Sequence, residues 1–328
     1  MTNSDQVDGA DCDLILSDVA TSLTEFQPIG AAAPDATPRL DTTVDDDGDL
    51  ILDRSNFRRL SLSIDFSGAT TLQDVGYQIW NGCLLLCDFL LSRDGIDSPV
   101  SKLESSGSST TGPAAPCWLE LGCGTGLASL VAAALGPLGF TGALPSTVFA
   151  TDKDCNLAAL VSKNVQQNVC SSKYFDLQRI VRPRVLDWKE RSLEFDRDNP
   201  FAWTAEDLDT LKHLTVILAA DVVYDDTLTD AFLETIDWLC AYSESPSVVC
   251  YVAVEKRINF LLDDLSVQAP AYEHFVTALR QRVDAGFNRL PCYWATAEEI
   301  SPETIPESCL SCPRSGCLML WKIVITKR

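Results

Sequence analysis

The chain has 328 residues, 46% of them hydrophobic, and a formal net charge of −22 at pH 7. This length and apolar content are enough for one large buried core, and the lack of an apolar run of about 18 residues argues against a membrane span. The strong negative charge disfavours direct nucleic-acid binding, because Lys and Arg are needed there to neutralise phosphates.

The cysteine usage indicates a reducing compartment. Thirteen cysteines are scattered through apolar stretches, and no signal peptide precedes them. We therefore expect no structural disulfides and a location in the cytoplasm, the nucleus or both. A metal site is not expected, because the spacing of Cys309, Cys312 and Cys317 lacks a nearby fourth ligand and the chain has only two histidines.

The first 55 residues differ in composition from the rest. Residues 1–50 hold 12 Asp or Glu and one Arg, a net −11 of the total −22. Few large apolar residues are present to offset the entropy of ordering, so residues 1–55 are predicted to be a mostly disordered acidic tail and 56–328 one folded domain. The tail either attracts a basic protein partner or only aids solubility. Asp45, Asp47 and Asp49 alternate as in a calcium loop but lack its flanking helices and closing Glu.

Two elements are predicted before the central motif. Residues 60–66 alternate apolar with polar side chains, which is the pattern of a half-buried strand. Residues 76–91 indicate a helix entry followed by a largely buried helix. Trp80 begins that helix, and its ring either projects toward a neighbouring cleft or belongs to the core. Residues 101–113, rich in Ser, Thr and Gly, are predicted to form a surface loop.

The central motif occupies residues 117–130. A short apolar run containing Glu120 ends in Gly122, Gly124 and Gly126 and passes into apolar residues at helical spacing, which predicts strand, tight turn and helix. Glycines suit this turn because it must reach positive φ and because a bound ligand would approach the backbone there. The G-x-G-x-G spacing differs from the pyrophosphate fingerprint, and Glu120 suits a cationic ligand group better than a phosphate. The alternative is an ordinary tight turn.

Acidic residues follow the next two predicted strands. The run 147–152 ends in Asp152, which is placed to accept the ribose hydroxyls of a nucleoside, although Asp152 or Asp154 could instead only cap the next helix. The run 179–186 ends in Asp187 and Trp188, a carboxylate and an indole suited to the amine and the flat face of adenine.

A fourth apolar run, residues 214–220, ends in two alanines and leads directly to Asp221 and Tyr224. Small Ala220 leaves room for a ligand at the strand tip, where ligands of open α/β sheets bind. Helices are then predicted at 227–239 and 272–283, and strands at 247–254, 287–294 and 318–326.

The order of these elements resembles the seven-strand class I methyltransferases, and the D-x-x-Y element from Asp221 to Tyr224 is similar to the methyltransferase-like 21/22 group of protein-lysine methyltransferases. Residues 201–208, 220–231, 254–260 and 271–275 resemble one branch of that group. The resemblance covers about residues 57–328. It implies a Rossmann-like α/β fold with a twisted seven-strand sheet, mostly parallel with an antiparallel C-terminal strand, and helices on both faces.

The same resemblance implies a donor and a set of site residues. S-adenosyl-L-methionine would be the methyl donor and S-adenosyl-L-homocysteine the product. Asp221 and Tyr224 would face an acceptor lysine of a protein substrate, expected to be lysine-rich and basic, and the enzyme is expected to be a monomer. The residues implied to hold the donor are Trp80, Glu120, Gly122, Gly124, Gly126, Asp152, Asp187, Trp188 and Ala220.

Three other interpretations share parts of this pattern. A NAD-dependent oxidoreductase has a similar first half, but the glycine spacing and the Asp187 and Trp188 pair disfavour it. A donor-binding pseudoenzyme is disfavoured by intact Glu120, Asp152 and Asp221. A methyltransferase acting on a small molecule stays open, since a fold does not set its substrate.

Overall fold

The computed structural model describes residues 19–26, 43–44, 50–51, 60–67, 74–92, 115–138, 140, 142, 144–171, 177–193, 196–260, 267–285, 293–308 and 314–327. Within these ranges no helix combines the length and the apolar character needed to cross a membrane. Asp45, Asp47, Asp49, the Ser-rich stretch 101–113, Cys309 and Cys312 lie outside the described residues. The division into a tail and one domain stays a prediction.

The strands alternate with helices along most of the chain. The strands are β1 (Val19–Phe26), β2 (Thr43–Val44), β3 (Leu50–Ile51), β4 (Leu60–Ser67), β5 (Cys117–Leu121), β6 (Thr147–Asp152), β7 (Val181–Val185), β8 (Leu214–Ala220), β9 (Ser247–Glu255), β10 (Asn259–Phe260), β11 (Val267–Gln268), β12 (Tyr293–Ile300) and β13 (Leu318–Lys327). The helices are α1 (Asn81–Leu91), α2 (Leu127–Ala134), α3 (Cys155–Ser171), α4 (Leu177–Ile180), α5 (Ala205–Leu211), α6 (Asp226–Tyr242) and α7 (Pro270–Ala285). Short 3₁₀ turns occupy Val75–Tyr77 and Pro302–Thr304.

Seven strands form the central sheet in the order β12-β13-β9-β8-β5-β6-β7. The five strands from β9 to β7 are parallel, and β13 is antiparallel to both β9 and β12. This confirms the predicted Rossmann-like sheet with an antiparallel C-terminal strand. Every residue of β5 is buried, as expected for a strand with helices on both faces of its sheet.

Two apolar clusters cover the two faces of the sheet. One contains residues of β4, α1, α2 and α3, and the other contains residues of α6 and α7. The strand predicted at 287–294 overlaps β12 only at its end, because β12 begins at Tyr293 and extends to Ile300. Residues 286–292 lie outside the described ranges.

Strands β1 and β4 form a two-stranded antiparallel pair, and apolar residues of β4 belong to the core cluster that contains α1, α2 and α3. Asn164 and Asn168 of α3 accept hydrogen bonds from the backbone N–H groups of Asp65 and Ser63, each at 2.8 Å. The amide of Asn164 also donates to the carbonyl of Thr125, at 2.9 Å. Helix α3 is therefore hydrogen-bonded both to β4 and to the glycine turn. These bonds hold the turn in place beside the predicted site.

Candidate active site

A cavity of ≈ 320 Å³ opens at the carboxyl ends of the parallel strands. Its volume lies at the lower end of the range of about 300–1,000 Å³ that small-molecule sites occupy. Ten of the eleven predicted site residues line it, and they come from separate parts of the chain: Trp80, Glu120, Gly122, Gly124, Asp152, Asp187, Trp188, Ala220, Asp221 and Tyr224. The eleventh, Gly126, is the N-cap of helix α2 and is not among the lining residues.

The three glycines of the turn have positive φ, as predicted: 69° at Gly122, 50° at Gly124 and 78° at Gly126. The close contact at Gly124 is with the chain itself, because a Cβ there would lie 2.6 Å from the carbonyl oxygen of Gly76. A Cβ on Gly122 would lie 3.2 Å from the ring of Trp188. The turn therefore brings the segment before α1 and the tip of β7 against one wall of the cavity.

Glu120 is a buried carboxyl beneath the turn. The backbone N–H and the hydroxyl of Ser129 both donate to its Oε2, at 2.9 and 2.5 Å. No donor among the described residues reaches Oε1. Burial raises the pKa of Glu120 to about 7, and the Ser129 hydrogen bonds oppose that rise. Glu120 can therefore change its protonation state near neutral pH when a cationic group enters the cavity.

The carboxylate of Asp152 is held in a fixed orientation at the tip of β6. The backbone N–H of Gly124 donates to one oxygen at 2.9 Å, and the N–H of Lys153 donates to the other at 2.8 Å. Helix α3 is capped by Asp154 instead, whose Oδ1 accepts from the N–H groups of Asn156 and Leu157. The two acids thus have different roles, and Asp152 lines the cavity with free lone pairs on both oxygens.

Asp187 and Trp188 follow β7 at the neighbouring strand tip. Asp187 accepts the N–H of Lys189 at 2.8 Å, which fixes the start of this turn. The Trp188 ring packs against Phe232 of α6, with 5.4 Å between ring centroids, and still lines the cavity. A carboxylate and an aromatic wall therefore stand side by side at this end of the cavity.

Asp221 follows β8 and connects it to α1 and β9. It has φ +54°, an uncommon conformation for a residue other than glycine. Its Oδ2 accepts the N–H of Gly82 at the start of α1, at 2.6 Å, and its Oδ1 accepts the N–H of Glu255 at the end of β9, at 2.9 Å. Burial raises the pKa of Asp221 to about 6. A Cβ on Gly82 would lie 2.5 Å from Oδ2, so this contact requires glycine.

Two aromatic rings that line the cavity, those of Trp80 and Tyr224, both contact the guanidinium of Arg257. The guanidinium of Arg257 lies 5.1 Å from the ring centroid of Trp80 and 5.4 Å from that of Tyr224. Tyr224 is 40% exposed. The indole N–H of Trp80 donates to the carbonyl of Val75 at 3.0 Å. Trp80 was expected either to project into a cleft or to belong to the core. The structure favours the cleft, since Trp80 is only half-buried and lines the cavity.

Sequence reasoning missed four residues that build this site: Gly76, Gly82, Ser129 and Arg257. Ser129 lies within the stretch that was recognised, nine residues after Glu120. A serine in an otherwise apolar buried helix was a usable signal, because a buried hydroxyl needs a partner. The other three act through contacts between distant parts of the chain, which spacing does not reveal.

The chain is similar to a known protein family and to several of its single members. The model of a family described as lysine methyltransferase matches residues 61–280. Human methyltransferase-like protein 22 is 33% identical over 264 residues, which is 80% of this chain and 57% of that protein. The mouse protein of the same name is 34% identical over 265 residues, with 80% and 59% covered. The zebrafish protein N-lysine methyltransferase METTL21A is 26% identical over 198 residues, with 60% and 71% covered.

These matches confirm the resemblance predicted from the D-x-x-Y element and from the four segments that resemble methyltransferase-like protein 22. The chain spans less than two thirds of the length of the human and mouse relatives.

Proposed function

Since this chain belongs to the lysine methyltransferase family, we propose that it transfers a methyl group from S-adenosyl-L-methionine to the side-chain amine of a lysine in a protein substrate. The observation that carries the proposal is that two groups of side chains line the same cavity: Glu120, Asp152 and Trp188 form the first, and Asp221 and Tyr224 form the second. The first group suits a nucleoside with a cationic amino-acid end, and the second suits an amine.

The residues of the cavity fit this donor. A Cβ on Gly122 would approach both Trp188 and Val222, so glycine keeps this wall open. Asp152 has both oxygens oriented by backbone N–H groups and can accept hydroxyl donors, as the ribose requires. Glu120 offers a carboxylate to the α-ammonium group. Asp187 and Trp188 would take the adenine.

When bound, the donor supplies an activated methyl group, so the protein's task is mainly to position a neutral amine. An unperturbed lysine has a pKa of about 10.4 and is mostly charged at pH 7. Asp221 accepts one N–H on each oxygen and retains a lone pair on each, with which it can accept a hydrogen bond from the amine and orient it. The Tyr224 ring provides a wall for the acceptor. Holding two reactants in attack geometry can contribute about 7–11 kcal/mol.

Binding of the donor is expected to strengthen as the pH rises through about 7, because Glu120 must be ionised to pair with an ammonium group. Its raised pKa leaves it mostly protonated at pH 5.5 and mostly ionised at pH 7.5. The Kd should therefore fall roughly 25-fold over this interval, in proportion to the ionised fraction of Glu120, with proton release on binding. Titration calorimetry in two buffers of different ionisation enthalpy measures both quantities.

Two controls separate Glu120 from other groups that titrate. Methylthioadenosine lacks the amino-acid end of the donor, so its affinity should not follow the ionisation of Glu120. In Glu120→Gln the donor should bind more weakly, with a flatter pH dependence. A Glu120→Gln variant with the wild-type pH dependence would contradict this assignment.

The activity itself is tested by incubating the protein with donor carrying a labelled methyl group and a nuclear and cytoplasmic extract. A labelled protein band whose label maps to lysine by mass spectrometry is the expected result. Donor binding with label only on small molecules would favour a small-molecule acceptor. Donor binding without any labelled product would favour a binding module. A nicotinamide cofactor that binds in place of the donor would favour an oxidoreductase.

We also propose a basic, lysine-rich acceptor protein, because the chain carries a net charge of −22 and would attract one. Localisation in the cytoplasm or nucleus follows from the cysteine usage. The proposed monomer and the proposed absence of nucleic-acid binding are tested by light scattering and by gel shift with RNA and DNA.

A further inference from the structure

Arg257 occupies the place beside Tyr224 where an incoming cation would otherwise meet the ring. Its guanidinium stands within 5.4 Å of the centroids of both Trp80 and Tyr224, and both rings line the cavity. It lies two residues after Glu255, the last residue of β9, whose N–H donates to Asp221. A positive charge is therefore built into the entrance on the acceptor side.

This guanidinium makes no direct salt bridge within the described part of the chain, although its charge opposes the rise in the pKa of Asp221. Some other arginines there are paired, since Arg182 and Arg184 both contact Asp207 and Arg314 contacts Asp88, whereas Arg197 and Arg280 have no salt bridge among the described residues either. Arg257 makes neither a hydrogen bond nor an ion pair with a described residue, although Asp and Glu outnumber Lys and Arg by 47 to 25. Its N–H donors are thus available to a molecule that approaches the exposed side of the cavity.

Contact with two rings prepares Arg257 to bind a carboxylate. Aromatic rings interact with the faces of a guanidinium and leave its five N–H groups, which lie in the plane, free to donate. The planar edge matches the two oxygens of a carboxylate in a bidentate pair. Because the rings already restrict the side chain, less conformational entropy is lost when such a pair forms.

We propose that Arg257 is a specificity residue that binds a carboxylate of the acceptor protein next to the methylated lysine, so that the enzyme selects a lysine with an Asp or Glu close by. This inference rests on the proposed lysine methyltransferase activity. It adds a local feature to the proposed acceptor: a lysine-rich, basic protein with an acidic residue near the target lysine.

The acceptor is a better source of this carboxylate than the amino-acid end of the donor. Arg257 is exposed, and of the two rings it contacts, Tyr224 belongs to the D-x-x-Y element expected to face the acceptor, whereas Trp80 is among the residues expected to hold the donor. Asp152 and the glycine turn, which would hold the donor, lie on other elements, and neither contacts Arg257. Donor affinity in an Arg257 variant separates the two sources.

The test uses pairs of short peptides, each with one central lysine, that differ only in having Glu or Gln at one flanking position. Transfer of labelled methyl gives kcat/KM for wild type, Arg257→Gln, Arg257→Lys and Arg257→Glu. The matched control is Lys256→Gln, because Lys256 is the neighbouring cation and contacts Tyr272, which does not line the cavity.

For the wild-type enzyme, kcat/KM for the Glu peptide should be about tenfold higher than for the Gln peptide at one or more flanking positions. This is the size expected for one charge-assisted hydrogen-bonded pair. Arg257→Gln should bring that ratio close to one, and Arg257→Lys should retain part of it. Arg257→Glu should instead favour a flanking Lys. Lys256→Gln should keep the wild-type ratio, and the Kd for the donor should stay within about twofold in all variants.

Several outcomes overturn the inference. They are a wild-type ratio near one at every position, an Arg257→Gln variant that keeps the preference, and an Arg257→Gln variant that loses donor affinity, which would place the carboxylate on the donor. If no peptide is labelled while proteins of the extract are, this inference fails alone. If neither is labelled, the proposed function fails with it.

Discussion

Replacing Asp221 by Asn is expected to lower kcat for methyl transfer at least about a hundredfold, which corresponds to about 2.7 kcal/mol, while the Kd for the donor changes by less than about threefold. The carboxylate accepts one backbone N–H on each oxygen, from Gly82 and from Glu255. An amide has only one acceptor oxygen, so its NH₂ group must face one of those two donors. Leaving one buried N–H without an acceptor costs about 1–3 kcal/mol, and the charge that would orient the amine is lost as well.

Asp225→Asn is the matched control for this substitution. Asp225 caps α6 by accepting the N–H of Leu228 at 2.8 Å, which an amide oxygen can also do, and it does not line the cavity. Its kcat should stay close to wild type. Turnover near wild type in Asp221→Asn would contradict a role in transfer. A large loss of donor affinity would assign Asp221 to the donor.

The raised pKa of Asp221 also sets an expected pH dependence. Burial brings this pKa to about 6, so the carboxylate is progressively protonated below that pH. A protonated Asp221 has lost an acceptor site and the negative charge, and the rate of transfer should therefore decline as the pH falls through about 6. The acceptor amine must lose its proton as well, so the rate should continue to rise above neutral pH.

The parts of this fold that follow from local pattern were predicted well. The strand from Leu60 to Ser67 was visible because apolar residues recur at every second position, and Leu60, Leu62 and Ile64 are buried as expected, although Asp65 is buried and Phe66 only half-buried. The turn after β5 was visible because three glycines recur at every second position, and all three have positive φ. Acids at Asp152, Asp187 and Asp221 were informative because parallel strands place their carboxyl ends at one edge of the sheet. Family resemblance then selected a nucleoside donor and an amine acceptor among the ligands such an edge can hold.

The boundaries of β12 were predicted poorly, and the reason is its place in the sheet. Strand β12 lies at the edge and pairs only with β13. Its second half contains Ala297, Glu298 and Glu299, which are exposed or half-buried and carry little of the apolar alternation that marks a strand. The register with β13 defines this strand, and that register cannot be read from the segment alone.

Contacts between residues that are distant in the sequence limited how much of the site could be predicted. Gly82 and Asp221 are 139 positions apart, and the hydrogen bond between them exists because α1 packs across the ends of β8 and β9. The position of Arg257 between two rings likewise depends on where α1 begins. Residue types at strand tips therefore predicted which side chains face the cavity. The packing of distant elements decides which of those side chains are already hydrogen-bonded within the protein and which can bind a ligand.

Replacing Asp152 by Asn is expected to weaken donor binding about a hundredfold, while the fold is retained because Lys153, whose N–H group would lose its acceptor, is exposed to solvent. Asp152 uses one lone pair on each oxygen to hold the N–H groups of Gly124 and Lys153, and the remaining lone pairs face the cavity. An amide can satisfy only one of these N–H groups, so the oriented pair of acceptors for two ribose hydroxyls is lost. Two weakened charge-assisted hydrogen bonds together correspond to about 3 kcal/mol.

Asp154→Asn keeps the oxygen that caps α3 and does not line the cavity, so it should bind the donor like wild type. Calorimetric titration of S-adenosylmethionine and S-adenosylhomocysteine measures both variants, and thermal unfolding without ligand checks that Asp152→Asn is folded. Because Asp152 would act on the ribose, adenosine alone should lose affinity by a similar factor. Equal affinities in the two variants would remove Asp152 from the donor site and leave its carboxylate only the task of holding the glycine turn against β6.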